Sequence, residues 1–312
     1  GTAHLENNKI ICVVDENKKK TNYAAEHIII ATGAKSRELP NLKQNGKNII
    51  GYRDALELKT VPKSMVVVGS GAIGVEFAYF YNAMGCEITI IEYLDQIVPN
   101  EDKDISRELS KNFKKKGINI LTKSSVEKII ENDKNSTIIV KTEGGQKEIQ
   151  ADVILSAVGI EPNTKNIGLE SLKIATNNNR IVVDKYYNTN IKGYYAIGDV
   201  IEGPALAHVA SAEAIICVEK IAGHNPEPIN YDNIPGCTYC SPEIASVGLT
   251  EKKAKEKGFN LKIGKFPFSA SGKATAAGHK EGFVKIIYDA KYGELLGAHM
   301  IGYNVTEMIA EI

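Results

Sequence analysis

A glycine-rich turn well inside the chain limits what this sequence can fold into more than any other feature. The turn is Gly69-Ser70-Gly71-Ala72-Ile73-Gly74, and it follows the apolar run "SMVVV", which predicts a buried strand. After the turn, "AIGVEFAYFYNAMG" predicts a helix, and "CEITIIE" predicts a second strand that ends in Glu92. This order of strand, glycine turn, helix and acid-ended strand is typical of a dinucleotide-binding unit.

Each glycine of the turn has a physical role in holding a pyrophosphate. Gly69 allows the sharp turn out of the strand, Gly71 lets the backbone approach the ligand, and Gly74 lets the helix pack on the sheet. The start of the helix adds unpaired N–H groups and the positive end of its dipole. We therefore predict that the run Gly69–Gly74 binds a dinucleotide. The alternative is a tight turn that binds no ligand.

The acidic residue after the second strand predicts which dinucleotide binds. Glu92 lies 18 residues after Gly74, close to where a ribose-binding acid is expected. A carboxylate there accepts hydrogen bonds from a 2′-hydroxyl and repels a 2′-phosphate. The next residues, Tyr93-Leu94-Asp95, include no arginine to bind that phosphate. The sequence therefore predicts NAD rather than NADP.

Charge and cysteine content argue against several classes of protein. The 312 residues include 38 Lys and Arg and 38 Asp and Glu, so the formal net charge is zero. This balance predicts neither a nucleic-acid partner nor a membrane partner, since both attract an excess of positive charge. The five cysteines are too few and too scattered for the disulfide framework of a secreted protein. A cytoplasmic protein is predicted.

Changes in the hydrophobic pattern divide the chain into four segments. Strands alternate with helices over residues 41–161, which predicts a doubly wound parallel sheet. Pro162 and the polar run after it mark the start of a segment over residues 162–229. A linker rich in proline and asparagine then leads into residues 230–312, where short strands around one helix predict an α+β module. Residues 1–40 form the first segment.

Other stretches carry a resemblance to a known family. "ATG" at Ala31–Gly33 and "YYAIGDV" at Tyr194–Val200 each end an apolar strand outside the NAD unit. Together with "GPALAHVASAEA", "NIPGCTYCSPEIASVGLTE" and "LLGAHMIG", they resemble the pyridine nucleotide–disulfide oxidoreductases, and within them the dihydrolipoamide dehydrogenase family. The resemblance implies an α/β fold in which a Rossmann-type NAD domain is inserted into a partial FAD domain. An α+β interface domain, which forms a homodimer, follows.

The resemblance also assigns residues to the two cofactors. Asp199 is implied to bind the ribityl chain of the flavin, and Ala207-His208 to lie along the isoalloxazine edge. Gly159 is implied to approach the nicotinamide, and Glu76 to pair with a lysine near the flavin. The full set implied to contact FAD is Ala3, Ala31, Thr32, Gly33, Asp199, Ala205, Leu206, Ala207 and His208.

The implied activity is oxidation of protein-bound dihydrolipoamide with reduction of NAD⁺, through a redox disulfide and FAD. Such an enzyme is shared by the 2-oxoacid dehydrogenase and glycine cleavage complexes, whose components and lipoyl domains would be its partners. The first FAD glycine motif, the redox cysteine pair and the catalytic histidine of the family have no counterpart in these 312 residues. We therefore predict no catalytic residue in this chain, and a chain that is inactive alone and is a piece of a longer protein.

Two alternatives to this function stay open at the level of sequence. One is another NAD-linked flavoprotein disulfide reductase, and the other is an NAD-binding protein without catalysis. A separate question concerns Cys237-Thr238-Tyr239-Cys240, whose spacing is shared by redox pairs and half zinc sites. A second pair of ligands with zinc spacing is missing, so we predict a structural role for both cysteines and no metal site.

Overall fold

The computed structural model describes residues 1–132 and 135–312. Its strands, in chain order, are β1 Thr2–Glu6, β2 Ile10–Val14, β3 Lys20–Ala24, β4 Ile28–Ile30, β5 Ala34–Ser36, β6 Ile49–Ile50, β7 Ser64–Val68, β8 Glu87–Ile91, β9 Asn119–Leu121, β10 Ser125–Glu131, β11 Ser136–Thr142, β12 Gly145–Ala151, β13 Val153–Ser156, β14 Ile160–Pro162, β15 Thr176–Asn177, β16 Arg180–Ile181, β17 Tyr194–Ala196, β18 Gly236–Thr238, β19 Glu243–Gly248, β20 Leu261–Pro267, β21 Phe283–Asp289 and β22 Leu295–Gly302. The α-helices are α1 Tyr52–Leu56, α2 Ala72–Ala83, α3 Lys103–Lys115, α4 Ala207–Ile221, α5 Glu251–Glu256, α6 Gly272–Ala276 and α7 Val305–Met308. Short 3₁₀ helices lie at Gly198–Val200, Tyr231–Asn233, Phe268–Ala270 and Ile309–Glu311.

Contacts divide the chain into two compact units. Unit 1 comprises Gly1–Lys35 and Ile160–Tyr231, and unit 2 comprises Ser36–Gly159 and Asp232–Ile312. Along the sequence, the chain therefore passes from unit 1 into unit 2, returns to unit 1 at Ile160 and enters unit 2 again at Asp232. The predicted segment boundaries at 40/41, 161/162 and 229/230 stay a prediction for the family's domains.

Unit 2 contains the predicted parallel sheet, with strand order β6-β13-β7-β8-β9. All of β7 after Ser64 is buried, because both faces of a parallel sheet are covered. Alternate residues of β7 enter different cores: Met65 and Val67 pack with α1, α2 and α3, whereas Val66 and Val68 pack with β10, β11 and β12. One face is therefore covered by helices and the other by an antiparallel three-stranded meander.

A second sheet in unit 2, with order β18-β19-β22-β21-β20, is antiparallel throughout. Ile244 and Ile301 of this sheet join the same core as Phe113 of α3, so the two sheets of unit 2 share one hydrophobic core. The prediction of one helix beside this sheet was incomplete. The structure has α5, α6 and α7 there, each six residues or shorter, which is too short for a clear helical period.

A buried lysine connects these two parts of unit 2. Lys285 on β21 is 2% exposed, and its Nζ lies 2.8 Å from Asp102, 3.1 Å from Asp104 and 2.7 Å from Glu251. Asp102 is the N-cap of α3 and accepts the N–H of Asp104. Its second oxygen accepts the N–H of Glu251, the first residue of α5. The starts of two helices therefore meet at one cation.

Unit 1 has its own core beneath small sheets. β1, β2 and β3 form an antiparallel sheet, and β4 pairs in parallel with β17 at Ile28–Ile30 against Tyr194–Ala196. The core contains Ile28, Ile30 and Cys217 of α4. The run Ala31–Gly33, assigned to FAD by resemblance, directly follows β4, and Asp199, also assigned to FAD, lies three residues after the end of the parallel strand β17. Both therefore lie at the carboxyl ends of strands, where open α/β sheets bind ligands.

Candidate dinucleotide-binding site

The glycine turn joins β7 to α2, and the fold itself requires two of its three glycines. Gly69 has φ +97°, and a Cβ there would lie 2.3 Å from the carbonyl oxygen of Ala157. A Cβ on Gly74 would lie 2.1 Å from the carbonyl oxygen of Gly69. These separations are far shorter than a real Cβ contact, so any larger residue at either position would force the strand-to-helix turn to shift.

Gly71 differs, because beyond its two chain neighbours no described atom lies within 4 Å of the place where its Cβ would be. Its φ of −66° and ψ of −175° are ordinary for any residue. The open space lies at the N-cap of the 12-residue helix α2, where the first N–H groups lack partners within the helix. A pyrophosphate fits such an arrangement, and the contacts of Gly71, Ala72 and Ile73 with it stay predictions.

Glu92 lies directly behind the turn and holds it in place. It is 7% exposed, and its Oε2 accepts the backbone N–H of Ser70 at 2.9 Å and the Ser70 hydroxyl at 2.5 Å. Its Oε1 accepts the N–H of Leu94 at 2.8 Å. A carboxylate has about four acceptor positions, so one on Oε1 is left for a ribose hydroxyl. The site therefore fits NAD, and the side chain of Ser70 contacts Glu92.

Replacing Glu92 with alanine should weaken NADH binding by about ten- to a hundredfold, because a charged hydrogen bond to the ribose is lost. NADPH binding should weaken less or improve, since the repulsion of a 2′-phosphate is removed. Titration of nucleotide fluorescence measures both affinities. Glu87→Ala, at the opposite end of the same strand, is the matched control. An unchanged ratio of the two affinities would refute this role of Glu92.

The loop after Glu92 contributes a residue that the sequence did not point to. Val98 has φ +41°, a backbone conformation that is strained for a β-branched residue. Its N–H donates to the carbonyl of Ser70 at 2.9 Å, and the side chains of Ile97 and Val98 are buried. The loop thus fixes the middle of the glycine turn from outside. Only the following proline, Pro99, marked the position as unusual.

Two further residues assigned by resemblance also lie in unit 2. Gly159, just after β13, has φ +103°, and its carbonyl accepts the N–H of Arg37. Glu76 on α2 is half-buried, and its Oε1 accepts the backbone N–H of Tyr239 at 2.8 Å. The roles of Gly159 at the nicotinamide and of Glu76 beside a lysine stay predictions.

The residues assigned to FAD lie in unit 1, mostly with small and exposed side chains. Thr32 and Asn163 hold each other: the Thr32 hydroxyl donates to the Asn163 carbonyl at 2.7 Å, and the Asn163 amide donates back to the Thr32 carbonyl at 3.0 Å. Asp199 is half-buried in the 3₁₀ turn Gly198–Val200. The exposed members of the set are Ala3, Ala31, Thr32, Ala205, Ala207 and His208.

The start of α4 completes this group. Ala205 precedes Leu206, which is the N-cap of α4, and Ala207 and His208 are the first two residues of this 15-residue helix. Gly33, at φ +67°, accepts the Asn163 N–H through its carbonyl. Small side chains, a helix N-terminus and a carboxylate are the kinds of group that hold a dinucleotide, so these residues fit FAD.

Comparisons with known proteins identify the family of the chain. Residues 2–214 match the family of pyridine nucleotide-disulphide oxidoreductases, and residues 234–312 match the dimerisation domain of that family. The chain belongs to the pyridine nucleotide-disulphide oxidoreductase family. Proteins of this family use FAD and NAD, the two cofactors that the sequence predicted.

The similar proteins are longer than this chain. Dihydrolipoyl dehydrogenase from Rhizobium etli is 49% identical over 94% of the chain and 61% of its own length, and that from Zymomonas mobilis is 46% identical over 99% and 67%. The chain spans about three fifths of the length of such relatives.

Two solved structures have the same fold. LpdA from Mycobacterium tuberculosis has a TM-score of 0.91 and 25% identity, covering 100% of this chain and 69% of LpdA. The flavoprotein disulfide reductase RclA from Escherichia coli has a TM-score of 0.89 and 27% identity, covering 100% of this chain and 70% of RclA. The predicted fold class is confirmed.

The cysteine pair of this family member lies in unit 2. Cys240 is 3% exposed, and its Sγ lies 3.2 Å from the carbonyl of Pro242; burial raises its pKa to about 12. Burial also raises the pKa of the half-buried Cys237, whose Sγ contacts the carbonyl of Thr306. Thiols with raised pKa values are poor nucleophiles. Within the described residues no three His, Cys, Asp or Glu side chains are grouped to hold a metal.

Changing Cys237 and Cys240 to serine should therefore leave NADH affinity unchanged within about twofold. Dimer formation should also persist, although burying the Cys240 hydroxyl costs about 1–2 kcal/mol of stability. Nucleotide titration and sedimentation measure the two properties. Metal content or a thiol-dependent response that disappears in the double variant would show that the structural interpretation is wrong.

The described part of the chain also bears on membrane association. No helix there combines the length and the apolar character needed to cross a bilayer.

Proposed function

We propose that this chain is the nucleotide-binding and dimerisation portion of a dihydrolipoyl dehydrogenase, which oxidises protein-bound dihydrolipoyl groups and reduces NAD⁺. The observation that carries the proposal is the glycine turn Gly69–Gly74, called the cradle below, with its open space at Gly71 and the buried Glu92 behind it. Identity of 40–49% to dihydrolipoyl dehydrogenases supports the choice of substrate.

The residues of this chain have the task of binding and orienting both nucleotides. The first turn of α2 would hold the pyrophosphate of NAD, and Glu92 would select a ribose without a 2′-phosphate. Gly159 would leave room for the nicotinamide, and Glu76 would lie beside its path. In unit 1, Asp199 and the start of α4 would hold FAD, which when bound couples thiol oxidation to hydride transfer.

The partners in this proposal follow from the substrate. The dimerisation domain supports a homodimer, and a second copy would complete the interface. Lipoyl domains of the 2-oxoacid dehydrogenase and glycine cleavage complexes would deliver the dihydrolipoyl group. All five cysteines are free thiols, as is usual in a reducing cytoplasm, which is the location that we propose.

A visible absorption spectrum of the purified protein, before and after NADH, is the first test. A flavin band that NADH bleaches, followed by NADH formation from NAD⁺ and dihydrolipoamide, is the expected result. A bleached flavin that dihydrolipoamide fails to reduce would favour another disulfide reductase, a class that includes the structurally similar RclA. A colourless protein that binds NADH would overturn the enzyme proposal in favour of an NAD-binding module.

A further inference from the structure

Unit 1 contains a buried carboxylate that no cofactor site accounts for. Glu213 on α4 is 1% exposed. Its Oε2 accepts the backbone N–H of Gly198 at 2.6 Å, and its Oε1 accepts the hydroxyl of Tyr231 at 2.7 Å. Among the described residues, no lysine, arginine or histidine forms an ion pair with it. A buried charge without a counter-ion is costly, so a fold that keeps one needs a reason.

The two donors are suited to an ionised carboxylate. Burial, together with hydrogen bonds to Tyr187 and Glu213, raises the pKa of Tyr231, so its hydroxyl stays protonated and donates. The second donor, Gly198, has φ +72°, and a Cβ there would lie 3.3 Å from the Cβ of Ala210 on α4. Helix α4 therefore packs directly on the turn that begins at Gly198.

That turn is held from its other end by a cation. Arg180 donates through Nη1 to the carbonyl of Ile201 at 2.6 Å and, more weakly, to that of Asp199 at 3.4 Å. A carboxylate thus accepts the N–H at the start of the turn, and a guanidinium donates to the carbonyls at its end. Both charges complement the dipole of the turn, as they do in longer helices. The residue between them is Asp199.

We propose that Glu213, held by Tyr231, is a positioning residue that fixes the turn Gly198–Val200 so that Asp199 faces the flavin. The proposal rests on the proposed function, because it assigns Asp199 to FAD. The sequence did not assign Glu213 to either cofactor. Glu213 would act on Asp199 indirectly, through its hydrogen bond with the backbone N–H of Gly198. The charge of Glu213 has a second consequence: a nearby negative charge opposes the addition of electrons to a flavin.

Three variants separate the shape of Glu213 from its charge. Glu213→Gln keeps the shape and removes the charge, Glu213→Ala removes both, and Tyr231→Phe removes one donor. Glu219→Gln, an exposed residue of the same helix, is the matched control. Hydrogen exchange of the Gly198–Val200 segment, the dissociation constant for FAD and the reduction potential of bound flavin are measured on the purified holoprotein.

Hydrogen exchange at Gly198 should be about tenfold faster in both Glu213→Gln and Tyr231→Phe. The first variant weakens the charge-assisted hydrogen bond from the Gly198 N–H, and the second removes the hydroxyl that holds the Glu213 carboxylate in place. FAD should bind about tenfold more weakly to Glu213→Ala. In Glu213→Gln the flavin should be reduced more easily, by about tenfold in the equilibrium constant or ~30 mV for a two-electron couple. The control should match the parent protein in all three.

The outcomes distinguish this proposal from the proposed function. A parent protein without flavin would contradict the proposed function itself. A parent that binds flavin, with variants whose exchange, FAD affinity and potential are unchanged, would overturn the role of Glu213 alone. Faster exchange with an unchanged potential and FAD affinity would overturn it too, since Glu213 would then serve only the fold. If Glu213→Ala fails to fold, Tyr231→Phe and Glu213→Gln still decide.

Discussion

Replacing Lys285 with methionine should lower the free energy of unfolding by about 3–5 kcal/mol, the usual cost of removing one partner from a buried ion pair. The variant would leave Asp102, Asp104 and Glu251 facing one another without a cation, and Asp102 is itself only 2% exposed. Since the chain has no tryptophan, urea unfolding is best followed by far-ultraviolet circular dichroism.

A surface lysine provides the control for this variant. Lys252 is 84% exposed and lies 3.9 Å from Glu256 on the same helix. Lys252→Met should change the free energy of unfolding by less than about 0.5 kcal/mol, as exposed pairs generally do. Equal effects of the two substitutions would mean that the carboxylates around Lys285 rearrange towards water, and the buried cluster would then not hold unit 2 together.

The contribution of Lys285 to the free energy of unfolding should decrease at acidic pH. Burial alone raises the pKa of Asp102, but the Lys285 ammonium and two backbone N–H donors outweigh burial, so that pKa lies below its usual value. A lowered pKa stabilises the folded state above the unfolded value of about 4, and this stabilisation is lost as pH falls through the folded value. The stability difference between parent and Lys285→Met should therefore be largest near neutral pH and shrink below about pH 4. A difference that stays constant from pH 7 to pH 3 would contradict the assignment.

The sequence pointed to the parallel sheet and the cradle because their signals are local. β7 is an uninterrupted apolar run, and the glycines and Glu92 follow it at fixed spacings. The strand β3 of unit 1 carries no such signal: its sequence is KTNYA, and all five of its side chains are exposed, so no alternation of buried and exposed residues marks it.

Contacts between distant residues could not be foreseen in the same way. Lys285 and Asp102 are 183 residues apart, and nothing near either one indicates the other. The same is true of Glu213 and Gly198, which meet only because α4 packs back on the turn after β17. Burial of charge is decided by tertiary packing, so the charged residues that matter most in this protein had an ordinary appearance in the sequence.

Substitutions in the cradle can separate the effect of a residue on NADH binding from its effect on the stability of the fold. Gly71→Ala should weaken NADH binding by roughly a hundredfold, about 2–3 kcal/mol, because the added methyl group occupies the space into which the pyrophosphate fits. The folded protein should be as stable as the parent within about 0.5 kcal/mol, or slightly more stable, because the φ of Gly71 is ordinary and no described atom would touch the methyl group.

Gly74→Ala is the informative contrast in the same turn. Its Cβ would lie 2.1 Å from the carbonyl oxygen of Gly69, so α2 must move away from β7 and stability should fall by about 1–3 kcal/mol or more. NADH titration and urea unfolding of both variants then test the site directly. If Gly71→Ala binds NADH as the parent does, the dinucleotide does not approach the backbone here, and Glu92 supports only the turn. If it loses binding at unchanged stability, Gly71 is free in the fold because the ligand needs that space.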